Sequence, residues 1–189
     1  MTPLRACSDN SEAMRVVHVV QGEHFVSDDS SVVLTTVLGS CVAACMRDPV
    51  SGIGGMNHFL LPGVLSGQAS DLERGVHAME VLINALLSSG ARRDRLEAKL
   101  FGGARMMQKL SDIGAKNAAF ATEFLRQERI ACHGDSLGGE QARRIRYWPV
   151  SGRAKQLLLG NNAADVFARE IKTAAVPAPA SDGDVEFFD

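Results

Sequence analysis

The sequence predicts an α/β fold, a layered sandwich in which helices cover one face of a sheet. Strand-forming runs come first, at 16–20, 32–37, 42–47 and 53–61. Helical segments then alternate with further strand-like runs, and strands close the pattern. Such an order of elements is typical of layered α/β architectures.

The composition is that of one globular domain. Hydrophobic residues make up 46% and charged residues 22% of the 189 residues, and this length allows a sizeable core. We expect a single domain over 15–173, preceded by a disordered segment at 1–14. The Ala/Pro-rich and then acidic tail at 174–189, which ends in Glu-Phe-Phe-Asp, is also expected to be disordered.

The charge and hydropathy patterns exclude several classes of partner. The formal net charge of −2 gives no reason to expect nucleic acid. No apolar run approaches the ~18–20 residues that cross a bilayer, so no membrane insertion is expected. The first 14 residues hold one arginine and no apolar core, which is unlike a signal peptide. These features predict a cytoplasmic protein.

The cysteines show neither disulfide-scaffold spacing nor a CxxC pair, which fits a reducing compartment. Zinc is a weaker alternative, because the candidate ligands lack the paired short spacings of known zinc sites. We therefore expect no metal and no organic cofactor. The candidate ligands would be Cys41, Cys45, His58, Cys132 and His133.

A β-hairpin carries the candidate chemistry. The turn-forming sequence Asp-Pro-Val-Ser-Gly at 48–52 separates two apolar runs. If 48–51 form the loop, the numbers of paired residues sum to 99 and Cys41 stands opposite His58. Opposed side chains have Cβ atoms roughly 4.5–5.5 Å apart, so this thiol and imidazole can share a proton. A neighbouring imidazole is expected to lower the pKa of Cys41.

The residues alone leave two interpretations of this hairpin open. Gly39 and Ser40 precede Cys41 and can leave backbone N–H groups free to bind an oxyanion, which favours a nucleophile. A free cysteine in an apolar strand is equally compatible with a small buried hydrophobe. A slip of one residue in the register would also turn Cys41 and His58 to opposite faces.

A set of motifs over about 16–159 resembles the CheD family, the chemoreceptor glutamine deamidases of bacterial chemotaxis. The motifs occur in the family's order, with one departure at Val37, where the family often has glycine. They are Leu38-Gly39-Ser40-Cys41-Val42, Arg47-Asp48-Pro49, Gly54-Gly55-Met56-Asn57-His58, Leu61-Pro62, Lys99-Leu100-Phe101-Gly102-Gly103-Ala104, Gly114-Ala115-Lys116-Asn117 and Asp135-Ser136-Leu137-Gly138-Gly139.

The resemblance implies a fold similar to that of cytotoxic necrotising factor deamidases and a Cys-His-Thr triad. Cys41 takes the place of the nucleophile, His58 that of the base and Thr35 that of the third member, with Thr36 beside it. The implied reaction is hydrolysis of glutamine side-chain amides on methyl-accepting chemoreceptors to glutamate and ammonia. Receptor cytoplasmic helices are the implied partners, with a CheC-type phosphatase as a further one. The alternatives are a signalling adaptor that binds such a phosphatase, and a receptor methylesterase.

Helical segments are predicted after the hairpin. A capping box at 70–73 predicts a helix to about 89, with its apolar face on Leu72, Val76, Met79, Ile83 and Leu86. The two glycines at 102–103 predict a tight turn into a short helix at 104–110. Asn117 is expected to cap a further helix that runs to 129. The basic run at 143–146 is interpreted as the solvated face of a strand.

Overall fold

A computed structural model of the chain describes residues 14–61, 69–105 and 113–160. Residues 1–13 and 174–189 of the predicted terminal segments, and most of the predicted helix at 104–110, lie outside these ranges. The described elements are β1 Arg15–His18, β2 His24–Ser27, β3 Val32–Leu38, β4 Val42–Asp48, β5 Ile53–Asn57, α1 Ala69–Ser88, a 3-10 turn Arg93–Arg95, β6 Glu97–Gly102, α2 Ile113–Gln127, β7 Ala131–Leu137, β8 Ala142–Trp148 and β9 Arg153–Leu159.

These strands form two sheets, which confirms the layered α/β sandwich. One sheet has the order β1-β3-β8-β9 and is called here the β3 sheet; the other has the order β2-β5-β4-β6-β7 and is called the β4 sheet. The hairpin of β4 and β5 is therefore interior to its sheet. β2, which was not predicted, covers β5 and forms the edge instead.

Two apolar layers hold the sandwich together. Alternate residues of β4 point to opposite sides, so Ala43 and Cys45 pack between the two sheets, while Val42, Ala44 and Met46 pack beneath the helices. Both faces of β4 are thus covered, which explains why this strand is almost continuously apolar.

The inward face of α1 differs from the predicted one in its first turns. Met79, Ile83 and Leu86 are buried as expected, but Leu72 and Val76 are exposed. The buried position in these turns is Gly75, where a Cβ would come within 2.6 Å of Leu61. The helix approaches this segment so closely that a larger residue would displace the side chains of Leu61 and Phe120. A reading of apolar periodicity misses such a contact, because it searches for large side chains.

The basic run on β8 forms the predicted solvated face only in part, because Arg146 is exposed and Arg144 half-buried, while Arg143 is buried. Arg143 is only 3% exposed, and its guanidinium donates to the carbonyl oxygens of Ser136 and Gly138. This arginine therefore ties β8 to the turn after β7.

Candidate active site

The hairpin register differs from the predicted one by two residues. Arg47 pairs with Gly54 and Asp48 with Ile53, so paired numbers sum to 101 and the loop is 49–52. The cause is Asp48, which is fully buried and remains in the ladder. Its carboxylate accepts hydrogen bonds from the backbone N–H groups of Val50, at 2.9 Å, and Arg92, at 3.0 Å.

A shift of two residues keeps every side chain on its predicted face. Cys41 now corresponds to Leu60, and His58 lies on the diagonal from it. Diagonal neighbours in a sheet are ordinarily about 7–8 Å apart, within reach of longer side chains. Cys41 directly precedes β4 and His58 directly follows β5, so both lie at the same end of the β4 sheet. The bridge between Val42 and Phe59 joins the two chain segments there.

The imidazole of His58 is held on one side and unpartnered on the other. Nδ1 lies 2.9 Å from Thr36 Oγ1 and 3.4 Å from the carbonyl oxygen of Val19. A carbonyl oxygen only accepts, so a hydrogen on Nδ1 satisfies both contacts and leaves the lone pair on Nε2. Nε2 is buried and has no hydrogen-bond partner among the described residues.

The two candidate threonines point to different sides of β3. Thr36 shares its face with Leu34 and Leu38, which pack between the sheets, and its hydroxyl thereby reaches His58 across the gap. Thr35 is on the other face, and its hydroxyl donates to the carbonyl oxygen of Ile145 at 2.8 Å. The threonine in contact with His58 is therefore Thr36, whereas the resemblance assigned Thr35.

The backbone of His58 is enclosed by the turn at 20–23. Gly22 N–H donates to the His58 carbonyl at 2.7 Å, and His58 N–H donates to the Glu23 carbonyl at 3.0 Å. Val19, just before this turn, supplies the carbonyl that faces Nδ1. The backbone of His58 is thus fixed by the turn at 20–23, and its imidazole by Thr36 on β3 and by Val19 just after β1.

Cys41 is held by the turn that follows β6. The N–H of Gly103 donates to the Cys41 carbonyl at 2.7 Å, and the N–H of Ala104 donates to the Gly39 carbonyl at 2.8 Å. Gly102 has φ +112°, and a Cβ there would lie 2.1 Å from the Cys41 carbonyl oxygen. Gly102 therefore serves close packing against the segment that carries Cys41, whereas Gly103 packs closely against α2.

Asn117 connects the two segments that carry Cys41 and His58. It lies inside α2 and is fully buried, so its predicted role as a helix cap is wrong. Its Nδ2 donates to the Ser40 carbonyl at 2.9 Å, and its Oδ1 accepts from Leu61 N–H at 2.8 Å. One buried amide thereby fixes the residue before Cys41 relative to the strand after His58.

Burial sets the protonation of the pair. It raises the pKa of the half-buried Cys41 from 9.0 to about 11, an effect that the cysteine's own backbone N–H only partly offsets. It also lowers the pKa of His58 from 6.5 to about 4, opposed by the Val19 carbonyl. The expected lowering of the Cys41 pKa is therefore wrong. At neutral pH, this structure holds a neutral thiol and a neutral imidazole.

The remaining cysteines lie apart from this arrangement. Cys45 is buried between the sheets, and burial raises its pKa far above the usual range, while Cys132 is exposed on β7. The described ranges contain no group of three or more histidine, cysteine or carboxylate side chains close enough to hold a metal ion.

A cleft of about 260 Å³ opens beside His58. It lies between the turn at 20–23, the end of β5 and the first half of α1. Its lining includes the oppositely charged residues Glu23 and Arg74, together with His24 and His77. His58 is among the residues that line this cleft.

The fold and the site together define a layered α/β protein with a cysteine and a structurally fixed histidine at one end of a sheet. The chain belongs to the CheD family. The family model described as CheD chemotactic sensory transduction matches residues 60–156, a range that begins just after His58.

The relatives extend this similarity over nearly the whole chain. A protein of Rhizobium rhizogenes named "Probable chemoreceptor glutamine deamidase CheD" is 56% identical over 178 residues, 92% of this chain and 96% of its own. Proteins of the same name from Rhizobium meliloti and a Caulobacter species are each 54% identical, and each match covers 95% of this chain. The matches cover 100% and 96% of those proteins. Matches of this extent include Cys41 and His58.

A solved structure of a Neisseria meningitidis protein of the DUF152 family matches 67% of this chain and 63% of its own, with 12% identity and a TM-score of 0.42. A TM-score of this size does not establish a common fold. In the described ranges, no helix is long and apolar enough to span a membrane.

Proposed function

We propose that this protein hydrolyses the side-chain amide of glutamine residues in chemoreceptors, with Cys41 as nucleophile and His58 as general base. The observation that carries the proposal is the ring of His58. Its Nδ1 is held by Thr36 and Val19, its Nε2 is buried and unpartnered, and the residue lines the cleft. A buried polar atom without a hydrogen-bond partner destabilises the folded protein. A role for Nε2 as proton acceptor during turnover explains why it is left without a partner.

The reaction starts from the neutral pair. As the Cys41 sulfur attacks the carboxamide carbon, its proton passes to Nε2 of His58, and the carbonyl electron pair moves onto oxygen. Collapse of this intermediate breaks the carbon–nitrogen bond, and the imidazolium protonates the leaving ammonia. Water, deprotonated by the same imidazole, then hydrolyses the thioester and releases glutamate. The net reaction consumes one water for each ammonia released.

Thr36 is proposed as the residue that orients the imidazole. Its hydroxyl contacts Nδ1 at 2.9 Å, while the Thr35 hydroxyl is occupied by the Ile145 carbonyl. For Thr35 to take this role, its hydroxyl would have to leave that carbonyl and turn to the opposite face of β3. We expect Thr36→Ala to lower kcat more than Thr35→Ala does, by less than the 10²–10⁴-fold of a general base. The opposite order would restore the assignment to Thr35.

The substrate proposal comes from the relatives, whose name specifies chemoreceptor glutamines. The cleft supports it, because its mixed charges suit the charged surface of a receptor helix that presents a glutamine. The resemblance also implies a CheC-type phosphatase as partner. We expect co-elution of the two proteins in size-exclusion chromatography, and separate elution would contradict this.

The test is peptide mass spectrometry of a chemoreceptor cytoplasmic fragment incubated with wild type, Cys41→Ala and Cys132→Ala. Cys132 is the matched control, because it is an exposed cysteine on a different strand. The expected result is a Gln-to-Glu mass shift with wild type and Cys132→Ala only. The same shift with Cys41→Ala would contradict the assignment of Cys41 as the nucleophile. Loss of methyl groups without deamidation would indicate a methylesterase, and no reaction with a tight phosphatase complex would indicate an adaptor.

A further inference from the structure

Gln21 is a polar residue at the site that the proposed mechanism leaves without a role. Its Oε1 lies 3.5 Å from the sulfur of Cys41, which donates to it. The same residue lines the cleft beside His58. Gln21 therefore lies where the nucleophile meets the space in which a substrate carboxamide would be bound.

The backbone of Gln21 is fixed against the histidine. Gln21 is the second residue of the turn at 20–23, which is closed by Glu23 N–H donating to the Val20 carbonyl at 3.0 Å. The next residue, Gly22, has φ +91° and donates to the carbonyl of His58. This hydrogen bond holds the turn against His58, the proposed general base, and so fixes the backbone of Gln21 relative to it.

The side chain of Gln21 is able to change its hydrogen-bonding role. It is exposed, and the hydrogen bond to Cys41 is the one that its carboxamide makes within the described ranges. A half-turn about its Cγ–Cδ bond exchanges the acceptor Oε1 for the donor Nε2 at the same position. In the resting protein the thiol S–H needs an acceptor, and Oε1 supplies it.

The requirement reverses during the reaction. Once the thiol proton has moved to His58, negative charge develops on the oxygen of the substrate carboxamide. Hydrogen-bond donors placed at that oxygen stabilise the charge as it develops. The backbone N–H of Cys41, which acts on the sulfur of its own side chain, is a candidate for one such donor. A single donor leaves the oxyanion incompletely stabilised.

We propose that Gln21 is a catalytic residue whose Nε2 donates a hydrogen bond to this oxyanion, together with the backbone N–H of Cys41. This inference rests on the proposed function of Cys41 as the nucleophile. Gln21 transfers no proton and forms no covalent bond. It exchanges a hydrogen bond with the thiol for one with the oxyanion as charge moves from sulfur to oxygen.

The test measures kcat and KM for deamidation of a chemoreceptor fragment by Gln21→Ala and Gln21→Glu. The controls are Gln156→Ala and Gln156→Glu, at an exposed glutamine on β9, an edge strand of the β3 sheet. For Gln21→Ala we expect kcat to fall on the order of 10²–10³-fold with KM little changed. Gln21→Glu should be at least as slow, since a carboxylate donates nothing and repels the oxyanion. The controls should match wild type.

Three results would overturn the inference. The first is a Gln21→Ala kcat within about threefold of wild type. The second is a rise in KM alone, which would make Gln21 a binding residue. The third is a clear fall in the thermal unfolding midpoint of Gln21→Ala that accompanies its loss of activity, which would indicate a structural role. Cys41→Ala in the same assay separates the two proposals: if it is inactive while Gln21→Ala is active, only the role of Gln21 fails.

Discussion

Cys41 is expected to react as a protonated thiol at neutral pH. Burial raises its pKa from 9.0 to about 11, so at any pH well below 9 its thiolate fraction is about a hundredfold smaller than that of an unperturbed thiol. At pH 7 this fraction is about one in ten thousand. His58 does not compensate, because its pKa of about 4 leaves it uncharged at this pH. An ion pair of thiolate and imidazolium is therefore absent from the resting protein.

The measurement is the rate of Cys41 alkylation by iodoacetamide as a function of pH. A Cys7→Ser/Cys132→Ser background removes two other thiols, and Cys45 is buried. We expect the rate to rise about tenfold per pH unit and to level off near pH 11, about two units above a free model thiol. His58→Ala should change the rate at pH 7 only slightly. A rate that is constant between about pH 5 and 8, and becomes pH-dependent in His58→Ala, would refute the reasoning.

Three further predictions concern the supports of the site. Gly102→Ala should lower the free energy of unfolding by at least about 2 kcal/mol, because it combines positive φ with a contact to the Cys41 carbonyl. Gly138→Ala, at a positive φ of +76° but in open space, should cost less, and equal losses in denaturant titrations would contradict the close-contact argument. Asn117→Ala should lower the free energy of unfolding by about 2–4 kcal/mol, because it leaves the Ser40 carbonyl and the Leu61 N–H buried without partners. A decrease below about 1 kcal/mol would show that water replaces the amide. His58 has a folded-state pKa below its unfolded value, so the unfolded chain takes up the proton first as the pH falls. The free energy of unfolding should therefore decrease between pH 6.5 and 4 by about 3 kcal/mol relative to His58→Gln. Parallel pH profiles of the two proteins would contradict this.

The fold was predictable because its signals are local. Apolar runs separated by turn-forming residues place the hairpin and β3 correctly, and the periodicity around Met79 and Ile83 identifies α1. The registers were not predictable to the residue. Aspartate is common at the first position of a turn, yet Asp48 remains paired within the β4–β5 ladder. Arg92 and Arg95, which are remote in sequence, supply partners for its carboxylate there. Long-range partners of this kind leave no local pattern.

The candidate site was predictable in part for the same reason. Cys41 and His58 are found from the hairpin and from the resemblance, since both lie at the ends of recognisable strands. Hydropathy could not decide between the two threonines. Both faces of β3 are buried, so its sequence shows no alternation of polar and apolar residues that would identify the face toward His58. Gln21 lies in a turn whose place against His58 depends on β2, a strand too short and too mixed in character to be predicted. An amide such as Asn117 is more common at a helix start than inside, so its buried role becomes visible only in three dimensions.

The hydrogen bond between Thr36 and His58 joins strands of different sheets, and this affects when the protein becomes competent during synthesis. Thr36 sits on β3, whose neighbour β8 is made near the end of the described chain, with Thr36 paired to Ile145. A nascent chain that stops before β8 already contains every residue of the proposed site. It lacks the strand that secures β3 against the β4 sheet. A reactive cysteine and its base are therefore brought into their working arrangement only after nearly the whole domain has been translated.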